Sequence, residues 1–480
     1  MILMSKKVFI STAIPYVNGD PHIGHSLEYV QTDVMARYFR IRYGKDNVFA
    51  LTGSDENALK NVMAAEKAGI PTMEFVDSKT AEFQKLSKTL GLSFDDFIRT
   101  TEERHIAGAQ KFWSAMKTED LYQDTYEGMY CIGCEEFKTE KDLAEGLCPE
   151  HKTKPELVKE NNYFFKLSNY QSQVEELVTK DVIKIVPEKR KNEVLGFIKE
   201  GLKDFSISRS RERARNWGVP VPGDPNQVMY VWVDALSNYI TALDYDKGGN
   251  KYSEFWDNNE SDRIHVIGKG IVKFHALYWV GMLLSANLPL PTEEFVHGYV
   301  TVEGNKIGKS LGNAIHPDEV VTKYGIDAFR YYLLREIPAY GDGDFSFNRM
   351  DEVYKSDLQN GIGNLVARVA AMAAGIQMTK ADPTLAISSE VTTALDSYRF
   401  DLSTQLINDR VRIADQFVSE NQVWKMEGAD KLAAITKLVA MIRQIAVDLQ
   451  PFMPVTAKKI ADQYAGEKIE KSEPLFPRLA

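Results

Sequence analysis

The first apolar run of the chain, Val8–Thr12, is short and β-branched, and it leads into a loop holding Pro15, Asn18, Gly19 and Pro21. Apolar residues then recur at three- and four-residue spacing, at Leu27, Val30, Val34, Tyr38 and Ile41, which predicts a helix with one buried face. Gly44 stands where that helix has to end. A second buried strand is expected over 48–52, followed by a helical stretch that stops near Gly69. This strand–helix rhythm predicts an α/β fold with a parallel sheet covered on both faces. Such sheets take ligands at the carboxyl ends of their strands, which points to the loops after Thr12 and Thr52.

From about residue 122 to 222 the rhythm gives way to short aromatic-rich segments, and strand-like sequence returns at 228–233 and 264–267. An α/β domain interrupted by an insertion and then resumed accounts for this order. After Asn348 the pattern is helical: Leu365, Val369 and Met372 share one face, and Leu432, Ile435, Leu438, Val439, Ile442 and Ile445 another. A separate helical bundle is therefore expected at the end of the chain.

Composition narrows the class. At 480 residues the chain is too long for one core, and 44% hydrophobic with 26% charged residues describes a globular protein rather than a disordered one. A formal net charge of -10 argues against a protein that coats DNA, but leaves room for an RNA partner read by a local basic cluster. No signal-peptide pattern precedes Asp20, and the most apolar later stretch, 276–284, is about half a membrane span. A cytoplasmic protein without membrane contact is expected.

Three clusters carry chemistry. His22-Ile23-Gly24-His25 falls after a strand, where a helix begins, and helix N-termini attract phosphate. By themselves the two histidines could equally be cap or core residues. Gly304 to Asn313 is a glycine-punctuated loop with Lys306 and Lys309 three residues apart. It fits a mobile clamp on pyrophosphate charge, and equally a solvated turn. The three cysteines all lie in one segment: Cys131-x-x-Cys134, thirteen residues, then Cys148-x-x-His151. Two close pairs of soft or borderline ligands close a tetrahedral structural zinc site, one per chain, with no open position for catalysis. A redox pair and unmetallated thiols are the alternatives.

With these motifs quoted, the chain resembles the class I aminoacyl-tRNA synthetases. His22-Ile23-Gly24-His25 matches their HIGH signature, and Lys306-Ile307-Gly308-Lys309-Ser310 is similar to their KMSKS loop with two substitutions. No large editing insertion fits between residues 121 and 227. Ala13-Ile14-Pro15-Tyr16, the segment Tyr230 to Tyr239, and Phe274-His275-Ala276-Leu277-Tyr278-Trp279 resemble three walls of the pocket in the methionyl-tRNA synthetase family. The resemblance implies a split Rossmann catalytic domain (1–120 and 228–297) and an inserted zinc-knuckle connective domain (121–227). It further implies a lysine-loop and stem-contact region (298–350) and an anticodon-binding α-helical bundle (351–480). It implies ligation of L-methionine to tRNA(Met) with ATP, accompanied by Mg2+, through methionyl-adenylate.

The resemblance also assigns residues. His22, Gly24, His25 and Gly268 would contact ATP, and Lys306 and Lys309 would stabilise the transition state. Ala13, Ile14, Tyr16, Trp232, Ala235, Leu236, Tyr239 and His275 would line the methionine slot, with Asp55 pairing the substrate ammonium. The Tyr239 hydroxyl and the Ile14 amide would approach the sulfur, a polar test that an apolar analogue fails. Without the resemblance, Trp232, Ala235 and Tyr239 read as plain core. Asn364, Arg368 and Trp424 would read the anticodon; alone, the pair is a solvated helix face and the tryptophan core. The chain departs from the family at Asn57 and Ala58, where histidine or tyrosine then glycine is common, at Gly270 for aspartate, and at Val423 for proline. A monomer is expected, since the sequence stops soon after the bundle. A synthetase for another amino acid and a catalytically silent tRNA-binding paralogue are the rival readings. The rival cysteine enzyme would place its cysteines at the active site, and the silent paralogue would be marked by loss of His22, His25 or Lys309.

Overall fold

The computed structural model describes residues 6–479 apart from Cys134, Thr139, Glu150, His151 and 308–311; the side chains of Tyr126, Phe137 and Lys306 lie outside it. The described chain divides into two compact units, 1–21 with 42–85 and 94–296, and 22–41 with 86–93 and 297–480.

In the first unit, strand Val8–Thr12 lies between Val48–Ser54 and Asp262–Gly268 and runs parallel to both. Asp96–Arg99 extends the sheet on one side, and Glu293–His297 followed by Lys184–Val186 on the other. Every residue of Val8–Thr12 and Val48–Ser54 is buried, which is why both read as unbroken runs rather than as alternation. From the first strand the chain builds outward in one direction through residue 99, then in the other from residue 262. The strand order thus reverses between Val8–Thr12 and Asp262–Gly268, and the crevice beyond their carboxyl ends is where such sheets take ligands.

The expected strand over 228–233 is divided. Asp224–Met229 is a strand, but it pairs antiparallel with Ser208–Ser210 and Pro220–Val221 in a separate sheet, and a helix begins at Val231. Helix Val231–Thr241 is buried at every position, so its sequence carries no helical period and its β-branched start imitates a strand. The cysteine-bearing segment is organised by antiparallel pairing of Leu121–Cys131 with Glu156–Phe165, flanked by Glu136–Lys138 and Phe205–Ser206. Lys184–Val186, also within 121–227, returns to the edge of the main sheet.

The second unit is mainly helical. Helix Ile23–Tyr43 ends at Gly44, whose φ of 95° places it in the region glycine favours. Its buried Asp33 meets the guanidinium of Arg330 at 2.7 Å. Arg330 also donates to the carbonyls of Phe452 and Pro451, and so ties helix Ile326–Arg335 to the turn between the helices Gly428–Leu449 and Pro454–Tyr464. Leu438, Val439, Ile442 and Ile445 are buried as their spacing predicts. Ile41 and Leu432, expected on the buried faces, are exposed, each near an end of its helix. Among the described residues no helix is long and apolar enough to cross a membrane.

Candidate functional site

The loop after Val8–Thr12 and the helices Val231–Thr241 and Phe274–Trp279 bring the expected slot residues together in the first unit. Ala13, Ile14 and Tyr16 pack against a core that includes Trp232, Leu236 and Tyr239. The Trp232 ring lies flat on Phe274 with centroids 3.8 Å apart and planes 4° apart. Tyr16 and His275 each meet Trp232 edge-on, at 6.3 and 6.5 Å. Ala235 and Leu236 are buried one turn further along the same helix. Phe274–Trp279 is wound as a π-helix, a form that collects at functional sites. These packed rings are the aromatic lining expected of a methionine slot, of the kind that suits a thioether chain.

The polar end of that slot is defined by two hydrogen bonds. His275 Nδ1–H donates to the Ile271 carbonyl at 3.0 Å, so Nε2 carries the lone pair and accepts the Tyr239 O–H at 2.8 Å. Burial pulls His275 down to about 4, against the opposing pull of the Ile271 carbonyl, and keeps the ring neutral. The Tyr239 hydrogen is therefore committed to His275. The Ile14 N–H donates to no group of the described residues.

Asp55 closes the other end. Its backbone bridges to Tyr16, with the Asp55 N–H donating to the Pro15 carbonyl at 2.9 Å, so the loops after the first two strands are joined edge to edge. Gly53 makes this possible, because a Cβ there would stand 2.2 Å from the Ile98 carbonyl oxygen and 3.0 Å from the Ile14 side chain. The neighbouring Glu56 is fully buried and accepts from Ser54 at 2.8 Å, Thr80 at 2.6 Å and Arg99 at 2.7 Å. Asp55 itself is buried, and burial together with the charge of Asp234 pushes its carboxyl well above the usual range. Lys60 pulls the other way, its ammonium 3.4 Å from the centre of the Tyr16 ring. Asn57, Asp234 and His105 complete this end, and none of them was among the expected site residues. His105 could have been found: with Ala109 and Phe112 it lies on the apolar face of Glu103–Ala115, where a polar side chain needs a partner.

Gly268 ends strand Asp262–Gly268 in the same unit, half-buried at its carboxyl edge. The second unit holds the histidine motif at the start of Ile23–Tyr43. The two rings stack at 4.0 Å. Gly24 N–H donates to Nδ1 of His22 at 3.1 Å, and His22 N–H donates to Nδ1 of His25 at 3.2 Å. Both Nδ1 atoms being acceptors, each ring carries its hydrogen on Nε2, a donor suited to phosphate oxygen. A Cβ on Gly24 would come within 2.9 Å of the His22 ring. In the same unit Lys306 closes the short strand Asn305–Lys306, paired with Thr301, whereas Lys309 lies outside the described residues.

Of the four expected zinc ligands, Cys134 and His151 lie outside the described residues. Cys131 ends the strand Leu121–Cys131, and Cys148 follows the tight Ala144–Leu147 bridge; both thiols are buried, at 1% and 0% exposure. The Cys148 N–H donates to the Thr153 carbonyl, and the Cys148 carbonyl accepts from the Lys152 N–H. Two buried thiols on such turns fit half of a soft tetrahedral donor set.

In the bundle, Asn364 is exposed at the start of Asn364–Ala373, and Arg368, one turn on, pairs with Asp415 at 2.5 Å. Trp424, on the turn Val423–Lys425, is 48% exposed, far more than a core tryptophan. That turn packs on Phe400–Glu420 and Gly428–Leu449, the helices against which Asn364–Ala373 also packs.

Comparison with known proteins agrees with this arrangement. The family model described as tRNA synthetases class I (M) matches residues 8–155 and 141–370. The methionine–tRNA ligase of Rhizobium meliloti (strain 1021) is 39% identical, and that of Brucella suis biovar 1 (strain 1330) 37%, each match covering 98% of both chains. The structure of Mycobacterium tuberculosis methionyl-tRNA synthetase in complex with methionyl-adenylate superposes with a TM-score of 0.90 at 34% identity, over 98% of this chain and 100% of that one. With its parallel sheet, its aromatic slot at the strand-order reversal and these relatives along nearly its whole length, the chain belongs to the class I methionyl-tRNA synthetases.

Proposed function

We propose that the chain is an ATP-dependent methionine–tRNA ligase. It joins L-methionine to ATP as methionyl-adenylate with release of pyrophosphate, then passes the methionyl group to tRNA(Met) with release of AMP. The observation that carries this reading is the slot itself: stacked Trp232 and Phe274, a neutral His275 bonded to Tyr239, and a buried acid, Asp55, at the opposite end. A thioether packs on the rings, its sulfur accepts the Ile14 N–H, and the ammonium meets Asp55.

Activation then needs alignment and charge stabilisation rather than a covalent nucleophile. A methionine carboxylate oxygen attacks the α-phosphorus, and pyrophosphate leaves with the electron pair of the broken P–O bond. The Nε2–H donors of His22 and His25 hold phosphate oxygens, Gly24 and Gly268 keep the backbone open to the nucleotide, and Lys306 and Lys309 neutralise the charge that builds on pyrophosphate. Magnesium accompanies ATP as its counter-ion. One zinc, held by Cys131, Cys134, Cys148 and His151, supplies a fixed crosslink in the connective insertion; the two buried thiols support this. Asn364, Arg368 and Trp424 receive the anticodon, a role supported by the exposure of Asn364 and Trp424. These roles divide the chain into catalytic halves at 1–120 and 228–297, a connective insertion at 121–227, a lysine-loop region at 298–350 and the anticodon bundle at 351–480.

The test is amino-acid-dependent ATP–pyrophosphate exchange across the standard amino acids, with Lys309→Ala as control. Exchange with methionine alone, lost in the variant, is the expected result. Exchange with another amino acid would remove the slot assignment, and none with any would leave a tRNA-binding paralogue.

A further inference from the structure

Asn57 touches both acids at the polar end of the slot. Its backbone N–H donates to Asp55 Oδ1 at 3.3 Å, and its side-chain amide donates to Asp234 Oδ2 at 2.7 Å and to the Thr100 carbonyl at 3.1 Å. The other oxygen of Asp234 accepts from His105 Nε2–H at 2.6 Å, and His105 is fixed in turn by Thr241 Oγ1, 2.8 Å from Nδ1. Asp234 and His105 are 1% and 0% exposed. Both oxygens of a buried carboxylate are thus held by donors, and the same bridging residue reaches Asp55.

We infer that His105 and Asn57 are positioning residues that hold the Asp234 carboxylate as a second negative charge beside Asp55, at the ammonium end of the amino-acid slot. The inference rests on the reading in which Asp55 receives the methionine ammonium. The charged groups that act most on Asp55 are Asp234 from helix Val231–Thr241, Lys60 from helix Leu59–Ala68 and Glu135. Among these the two acids outnumber the one ammonium, and Lys60 commits one of its three N–H donors to the Gly133 carbonyl at 3.0 Å. A buried excess of carboxylate is costly until a cation enters, so such a site selects a ligand for its positive charge. In this arrangement Asp234 acts on the ammonium through the field it adds to Asp55, and His105 and Asn57 act by fixing where that charge stands. Binding of the ammonium would draw Asp55 into its ionised form, the proton leaving to solvent.

The experiment is equilibrium binding of two ligands to the full chain: L-methionine, and its analogue with a hydroxyl in place of the α-amine. It uses the unchanged protein, Asp55→Asn, His105→Gln and Asn57→Ala. Losing one charge-assisted bond weakens binding about tenfold. His105→Gln and Asn57→Ala are therefore each expected to weaken methionine by about that factor while leaving the hydroxy analogue within about twofold. Loss of both ligands in parallel would reduce His105 and Asn57 to structural residues and overturn the inference; so would unchanged methionine binding. Asp55→Asn separates the two levels: if it binds methionine normally, the ammonium assignment itself fails, whereas a loss there with normal His105→Gln and Asn57→Ala sinks the positioning role alone. Asn57 is only half-buried, so Asn57→Ala carries the test if His105→Gln does not fold.

Discussion

Tyr239 donates its hydroxyl hydrogen to Nε2 of His275 across 2.8 Å, and the Ile271 carbonyl leaves His275 no other tautomer to offer. The bond orients the tyrosine oxygen within an aromatic slot and makes two residues, 36 positions apart in sequence, one unit.

Replacing Tyr239 by Phe leaves Nε2 of His275 buried and unpaired, and removes the bond that holds together the end of the slot where the sulfur is set to accept the Ile14 N–H. Discrimination between methionine and norleucine in pyrophosphate exchange, read as the ratio of kcat/KM values, is expected to fall about tenfold or more. An unchanged ratio would show that the Tyr239–His275 bond does not set the selection.

His275 also sets an acid limit. Its value in the fold, about 4, lies below that of an unfolded histidine, so between these the unfolded chain binds the extra proton. The stability His275 contributes is full above about pH 6.5 and is lost as pH falls towards 4. Urea melts of the unchanged protein and His275→Gln should diverge above that window and converge below it.

Glu294 has the opposite sign. It is buried in strand Glu293–His297 with neither carboxyl oxygen bonded among the described residues, and burial raises it to about 8. The unfolded chain loses this proton near pH 4.5 while the fold retains it to about 8. The contribution is complete below about pH 4.5 and declines as pH rises through 8. Glu294→Gln should therefore melt at a higher temperature than the unchanged chain at pH 9, with the gap closing towards pH 5.

Arg330 and Asp33 are both fully buried and 2.7 Å apart. Burial would raise Asp33, yet Arg330, Arg37 and Ser93 together hold it below the ordinary carboxylate range. Arg330→Met takes one of two cations from that buried charge, leaving Arg37, and unpairs the Phe452 and Pro451 carbonyls; it should cost about 3 kcal/mol in urea unfolding. The double variant with Asp33→Leu should recover part of the loss. Equal losses in the single and double variants would mean the ion pair carries little of the energy.

Metal analysis of the purified chain should return about one zinc per molecule. Cys148→Ala should lose it. Cys148 is fully buried, and a thiol that served only as core packing would leave the zinc content of that variant unchanged.

The legible parts of the sequence were those with short-range causes. Val8–Thr12 is fully buried and β-branched, and the helix after it ends at Gly44, so neighbours along the chain already state the physics; that helix is nonetheless buried at every position from 29 to 36 rather than along the one face its spacing predicts. That Trp232, Tyr239 and His275 come together was expected only through resemblance, since a buried aromatic by itself reads as core. The start of helix Val231–Thr241 was misread as strand because total burial erases the period on which the reading depends. What the tertiary structure alone decided is pairing over distance: Asn57 with Asp234 across 177 positions, His105 with Asp234 across 129, and Tyr239 with His275. A lone polar residue on an apolar face announces that it needs a partner, but the partner's identity depends on which strand neighbours which. That order is fixed by the packing of the whole sheet, not by any local run of residues.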